Sequence, residues 1–287
     1  MDLRNYRLFI SDVDGTLLNS NHELHPDTIR AFQALRSFGI DTTIATGKIF
    51  SSVSDLVFQL GISSPVILGQ GAIIQDKDRN VLLWRGLPPE VAEIVFKASE
   101  LYGCDLAVYM QNAILAKEYN YNLQLLTKYW EPKAEEVGEW WRLNERIEQI
   151  VKILFISRQS DTLLAKIERV MSETLSGMAA VQRSIPHVIE ITNLLATKDR
   201  ALQFLGEHLN IPHTQIIAAG DGENDSKMLA YAGCGVAVDN ASLTVKQHAD
   251  IVVGSNDGNG VAKAIFAWLR TTEINSRANQ AKALRID

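Results

Sequence analysis

Apolar runs alternate with amphipathic stretches at both ends of the chain. Arg7 to Val13 is a short apolar run and predicts a buried strand. Pro26 then stands where the first turn of a helix tolerates it. Ile29, Phe32 and Leu35 recur at helical spacing until Gly39 stops the run. Ile40–Thr46 is β-branched and strand-like. Val53, Leu56, Val57 and Leu60 predict a second amphipathic helix ended by Gly61, and PVILG (Pro65–Gly69) a third short strand. Ala72–Trp84 predicts a hairpin with a polar turn at Asp76–Asn80. The alternation resumes with a helix at Thr197–Leu209, a strand at Gln215–Ala219 and a helix at Asn224–Ala232. Strands at Gly235–Val238 and Ile251–Val253 and a helix at Val261–Leu269 follow, then a polar tail, Thr271–Asp287, that should fray. Strands alternating with helices predict an α/β fold with a parallel sheet covered on both faces.

Between these blocks, Gly86–Pro186 carries its own pattern. It opens with LPP, and predicts helices at Glu90–Leu101 and Ser160–Leu175 and strands at Leu106–Tyr109 and Val151–Ile156. A stretch of roughly 100 residues with its own elements is domain-sized. The expected organisation is a core of residues 1–85 and 186–287, with an inserted α+β lobe, 86–185, joined by crossings near Arg85 and Ile185. Of the 287 residues, 46% are hydrophobic and 22% charged, an ordinary globular balance. A net charge of -6 weighs against a nucleic-acid partner. Cys104 and Cys234 form no CxxC or zinc spacing, so no disulfide is expected. No apolar run reaches membrane length, and MDLRNYRLFIS carries no signal-peptide pattern. The expectation is a cytoplasmic chain with no membrane partner, a monomer or homodimer.

The chemistry-bearing residues sit at predicted strand ends. FISDVDGTLLNS places Asp12 and Asp14 two apart, so both can face one site at the carboxyl end of the first strand. Gly15 permits a sharp turn, and Thr16 can hydrogen-bond locally to hold it. Taken alone, Asp14-Gly15 reads equally well as an ordinary turn. A second acidic cluster weighs against that bland reading. GDGEND follows another strand and supplies Asp221, Glu223, Asn224 and Asp225, more oxygen-bearing side chains than a helix cap requires. Crowded hard oxygen ligands suit Mg2+. ATGK offers Thr46, Gly47 and Lys48 after the second strand, where a hydroxyl and open N–H groups can bind phosphate, although a plain strand-to-helix turn explains it too. Lys198, in ATKDRAL, would alone read as a solvated surface charge.

In this order, DVDGT, ATGK, TKDRAL and GDGEND resemble the motifs of the haloacid dehalogenase (HAD) superfamily. The closing run GCGVAVDNASLTVKQHADIVVGSNDGNGVAKAI is similar to the Cof-type phosphatase branch, which has a type IIB cap. The resemblance implies a Rossmann-like core with a C2B-type α+β cap between the second and third motifs. It implies Asp12 as nucleophile and Asp14 as general acid and base. It implies Mg2+ held by Asp12, Asp14 (through its backbone carbonyl) and Asp221, with Asp225 and Asn224 ordering the metal shell and phosphate. Thr46, Gly47 and Lys198 would bind the transferring phosphoryl group. The implied activity is Mg2+-dependent hydrolysis of a small phosphorylated metabolite, such as a sugar phosphate, through an aspartyl-phosphate. Three other readings share the motifs: a phosphomannomutase-like phosphotransferase, with Arg142, Arg146 and Arg183 as candidates for a second phosphate site, a dedicated sugar-phosphate phosphatase such as a mannosyl-phosphoglycerate or sucrose-phosphate phosphatase, and a non-enzymatic phospho-ligand sensor. Against the branch pattern, Lys48 replaces the usual arginine, Gln70 the usual asparagine, and Asp239 a common glycine.

Elsewhere, Trp140, Trp141 and Arg142 read either as a sugar-stacking platform or as packing of the lobe's core, and the lobe's tyrosines likewise. His22 and His25 read as a flap near the leaving group or as loop surface. Glu190, in HVIEIT, either contacts substrate or pairs a basic residue.

Overall fold

The computed structural model describes residues 1–129, 131–158 and 160–283. The chain opens with β1 (Leu8–Ser11), α1 (Pro26–Ser37), β2 (Asp41–Ile44) and α2 (Phe50–Leu60). β3 (Val66–Leu68), β4 (Ile73–Gln75) and β5 (Val81–Trp84) then form a small antiparallel sheet. The hairpin turn at 76–80 is held by Asp76, whose carboxylate accepts the N–H groups of Asp78 and Asn80. The inserted lobe contributes α3 (Pro89–Tyr102), β6 (Asp105–Met110), β7 (Ile114–Ala116), α4 (Gln124–Thr127) and β8 (Glu135–Glu136). It continues with β9 (Ile150–Ile156), α5 (Asp161–Thr174), β10 (Ala179–Ile185) and β11 (Val188–Asn193). The chain returns through α6 (Lys198–Leu209), β12 (Ile216–Gly220), α7 (Ser226–Tyr231), β13 (Cys234–Val238), α8 (Leu243–Lys246), β14 (Ile251–Val253) and α9 (Gly260–Ala283).

The core sheet is parallel throughout, in the order β14-β13-β12-β1-β2. Both faces are covered, as the doubly apolar strands require. Phe9 meets Phe32 of α1 edge-on at 5.6 Å, while Leu8 and Ile10 pack on the opposite side with Leu202 and Met228. Ser11 lies level with Ala219 on one side and Ile44 on the other. That register brings the residues following β1, β2 and β12 to one edge of the sheet, where open α/β folds bind ligands.

The lobe is built on a six-stranded sheet, β10-β11-β9-β6-β7-β8. Its strands alternate faces. Val108, Ile153, Phe155 and Ile189 pack under α3 and α5, while Tyr109, Leu154 and Val188 face the core. β11 belongs to this sheet, antiparallel to both β9 and β10. The second crossing therefore falls after Asn193, not near Ile185. Pro186 and His187 form the turn between β10 and β11, with His187 at φ 71. Asn193 fastens the crossing by donating to the Gly86 carbonyl at 2.8 Å.

The tail is corrected as far as it is described: α9 runs on to Ala283 instead of ending at Leu269, and the last four residues of the expected frayed tail, 284–287, lie outside the described residues. Thr272 is buried and accepts the Leu3 N–H at 3.0 Å, so the tail gains a tertiary anchor that its polar composition hid. Trp140 is buried and stacks on Phe96 at 5.0 Å, so the packing reading holds for it. Among the described residues, no helix is long and apolar enough to cross a membrane.

Candidate active site

A cavity of about 690 Å³ lies between the carboxyl edge of the core sheet and the lobe. Asp12, Asp14, Gly47, Asp221 and Asn224 line its floor; Tyr109, Lys152, Gln182 and Glu190 line its roof. Asp12 continues β1, its N–H donating to the Ala219 carbonyl at 2.8 Å. Its Oδ1 accepts the Lys198 ammonium at 2.5 Å, and Lys198 also reaches Asp225 Oδ1 at 2.7 Å. Lys198, which alone resembled a surface charge, is 1% exposed. Burial pulls its pKa down, but Asp12 and Asp225 more than offset that and hold it above the usual lysine value.

Asp12, Asp221 and Asp225 each offer an oxygen within 4.8 Å of the others. Burial pushes the Asp12 carboxyl well up, opposed by Lys198 and reinforced by the neighbouring aspartates. Burial also pushes Asp221 up to about 6, opposed by a hydrogen bond from Thr16. Three crowded carboxylates against one ammonium leave an excess of negative charge that a hard divalent cation would offset. The donor set therefore fits Mg2+. Within it, Asp225 is the most occupied member: its Oδ2 accepts the N–H groups of Asp221 and Gly222, and its Oδ1 accepts Lys198.

The carboxylate of Asp14 lies outside this cluster. It turns to Lys48 at 2.8 Å, and its Oδ1 faces His22 Nδ1 at 3.3 Å. Gly15, directly after Asp14, sits at φ 79, and a Cβ there would stand 2.4 Å from Asp221 Oδ2, so the turn passes close against that carboxylate. Thr16 does not merely hold this turn: its hydroxyl donates to Asp221 Oδ1 at 2.6 Å. Gly47 borders the cavity, while Thr46 is buried beneath it, accepting the Lys48 N–H at 3.1 Å. Asn224 donates to Gln70 Oε1 at 2.8 Å. Gln70 Nε2 would stand 2.7 Å from a Cβ at Gly47, so this one side chain spans the two loops proposed to hold phosphate. Gln70 itself sits at φ 63 between two positive-φ glycines. Sequence reasoning noticed it only as a departure from pattern. Trp141, Arg142, Arg146 and His25 do not line the cavity, whereas His22 and Arg183 do.

A profile of the haloacid dehalogenase-like hydrolases matches residues 9–265. The chain belongs to the haloacid dehalogenase-like hydrolases. Part of the Arabidopsis thaliana "Endoribonuclease YBEY, chloroplastic" is 30% identical to it over 268 residues, 90% of this chain, but the chain spans only 45% of that protein's length. The HMP-PP phosphatase of Yersinia pseudotuberculosis is 26% identical over 271 residues, covering 94% of this chain and 97% of that one. The 5-amino-6-(5-phospho-D-ribitylamino)uracil phosphatase YitU of Bacillus subtilis is 28% identical over 270 residues, covering 89% and 95%. A haloacid dehalogenase-like hydrolase from Bacteroides thetaiotaomicron superposes with a TM-score of 0.85 at 25% identity, covering 91% of this chain and 99% of that one. A HAD subclass IIB sugar phosphatase shares the fold, with a TM-score of 0.78 at 21% identity over 91% and 98% of the two chains. This HAD-like hydrolase is thus a HAD-type phosphatase with an IIB-like inserted lobe.

Proposed function

We propose that the protein is a Mg2+-dependent phosphatase acting on a sugar phosphate or a similar polar monoester through an aspartyl-phosphate on Asp12. The observation that carries this reading is the Asp12–Lys198–Asp225 arrangement beside Asp221, with Asp14 separately held at the same sheet edge. Mg2+ would be held by carboxylates of Asp12 and Asp221, with Asp225 ordering the set and the Asp14 carbonyl completing it. When bound, the ion offsets charge on the phosphoryl oxygens.

Repulsion between a carboxylate and one phosphate charge is about 4 kcal/mol at 4 Å in a partly screened site. Lys198 offsets part of it and opposes the burial that disfavours the ionised form of Asp12. An Asp12 oxygen attacks phosphorus as the ester P–O bond breaks, and the leaving oxygen takes its proton from Asp14. Asp14 then removes a proton from water, whose oxygen attacks phosphorus and frees Asp12 and inorganic phosphate. The N–H of Gly47, the Thr46 hydroxyl and the Asn224 amide orient the phosphoryl oxygens. Lys48 occupies Asp14 Oδ2 at 2.8 Å, so the leaving oxygen must displace that contact or use the other carboxylate oxygen. The lobe closes over the site and excludes water.

Phosphate release from a panel of phosphorylated metabolites, with Mg2+ or EDTA, tests the reading. Wild type should release phosphate only with the metal, and Asp12→Asn should not. Turnover that survives in Asp12→Asn would overturn the nucleophile assignment.

A further inference from the structure

The cavity roof holds a charge pair that the hydrolysis steps do not use. Lys152 lies opposite Thr192 and Leu154 opposite Glu190, so Lys152 and Glu190 are diagonal neighbours on the sheet face that looks at the core. Each side chain is 7% exposed, and Lys152 Nζ is 2.6 Å from Glu190 Oε1. The ammonium also lies 4.6 Å from the centroid of the Tyr109 ring. Ala107, Leu154, Ile156 and Val188, on the same sheet, are apolar and buried in the core-side cluster. A buried ion pair carries a desolvation cost that its attraction need not repay, and apolar residues of similar volume pack as well or better. Packing of the sheet therefore gives no reason for the pair. Its place above the reacting carboxylates does.

Charge and hydrogen-bond capacity indicate what the pair receives. Lys152 is already balanced by Glu190. Arg183, the other basic residue of the roof, is 3.3 Å from Glu168 and 3.8 Å from Asp161. Among the described residues, the roof therefore offers no uncompensated cation to a second phosphate. Glu190 Oε1 takes Lys152, while its Oε2 has no hydrogen bond among the described residues. A carboxylate only accepts and an ammonium only donates, so the two together read a donor and an acceptor on adjacent ligand atoms. Gln182, level with Glu190 on β10, offers one of each again.

We propose that Lys152 and Glu190 select the leaving group, and that it is uncharged with a hydrogen-bond donor and acceptor side by side. Vicinal hydroxyls of a sugar or polyol, or the lactam edge of a pyrimidine, present that pattern. This rests on the phosphatase reading above.

The test compares kcat/KM for sorbitol phosphate, uridine monophosphate, a hexose bisphosphate and p-nitrophenyl phosphate, which lacks the donor–acceptor pair. Wild type is set beside Glu190→Gln and the double variant Lys152→Met with Glu190→Gln, which removes both charges should a lone buried lysine unfold the single one. The variants should lose roughly 10- to 100-fold on the better of the first two substrates. They should leave p-nitrophenyl phosphate unchanged, and wild type should disfavour the bisphosphate. Loss on sorbitol phosphate identifies a polyol reader, and loss on the uridine ester a heterocycle reader. Parallel losses on all substrates in a folded double variant, no selective loss, or a preference for the bisphosphate would overturn the proposal. No release by wild type from any substrate would overturn it together with the phosphatase reading.

Discussion

Lys198→Met and Asp12→Asn should move stability in opposite directions, although both remove the same 2.5 Å contact. Lys198 is buried between Asp12 and Asp225. Methionine would fill its volume and leave both carboxylates without a cation. Asp225 would keep the N–H groups of Asp221 and Gly222, but Asp12 has no other side-chain hydrogen bond among the described residues. Removing one partner of a buried ion pair costs about 3–5 kcal/mol. Asp12→Asn does the reverse: it removes a carboxylate whose ionised form burial disfavours, and Lys198 keeps Asp225. That change should be neutral or stabilising, by up to about 2 kcal/mol. Urea unfolding in EDTA at neutral pH measures both. The pH dependence follows from the raised Asp12 pKa. The burial penalty is fully present above the folded pKa and fades as pH falls toward the unfolded value, so the advantage of the Asp12→Asn variant should shrink in acid. If Asp12→Asn costs as much as Lys198→Met, the aspartate is not held ionised against its burial, and the reasoning fails.

Two further outcomes follow from Asp221 and its partner. Burial raises Asp221 from 3.8 to about 6, so the unfolded chain gives up this proton first as pH rises. At about 1.4 kcal/mol per pH unit, metal-free protein should lose up to roughly 3 kcal/mol more across that window than Asp221→Asn, which keeps only the Asp12 penalty. Urea midpoints in EDTA across the window check this, and identical profiles for the two proteins would refute it. Thr16→Val removes the 2.6 Å bond to Asp221, worth about 1.5–3 kcal/mol, and should raise the Mg2+ concentration needed for half-maximal phosphate release, while Thr16→Ser should not. An unchanged Mg2+ dependence in Thr16→Val would show that this bond does not order the site.

The sequence carried the core's α/β alternation, both acidic strand ends and the insertion between them. These are local properties: period-two and period-3.6 patterns, glycine at turns, and carboxylates clustered within a few residues. Asp12, Asp221 and Asp225 could be named together because motifs at the ends of parallel strands share one sheet edge. The same reasoning could not say which way the Asp14 carboxylate turns. Lys48 and His22 decide that from loops that follow β2 and β1.

What the residues could not reveal lies in register and long-range contact. Thr16 and Asp221 are 205 positions apart, and Gln70 and Asn224 are 154 apart. Glu190 was open to either pairing or substrate contact until β9 and β11 set it beside Lys152. The crossing back to the core looked to lie near Ile185 until β11 paired back into the lobe, and the tail looked frayed until Thr272 met Leu3. Local pattern determined the elements and the chemistry at their ends, because backbone period and side-chain type act within a few residues. Strand order and register decided which of those side chains meet, because pairing distant segments depends on packing energy that no single stretch of sequence contains.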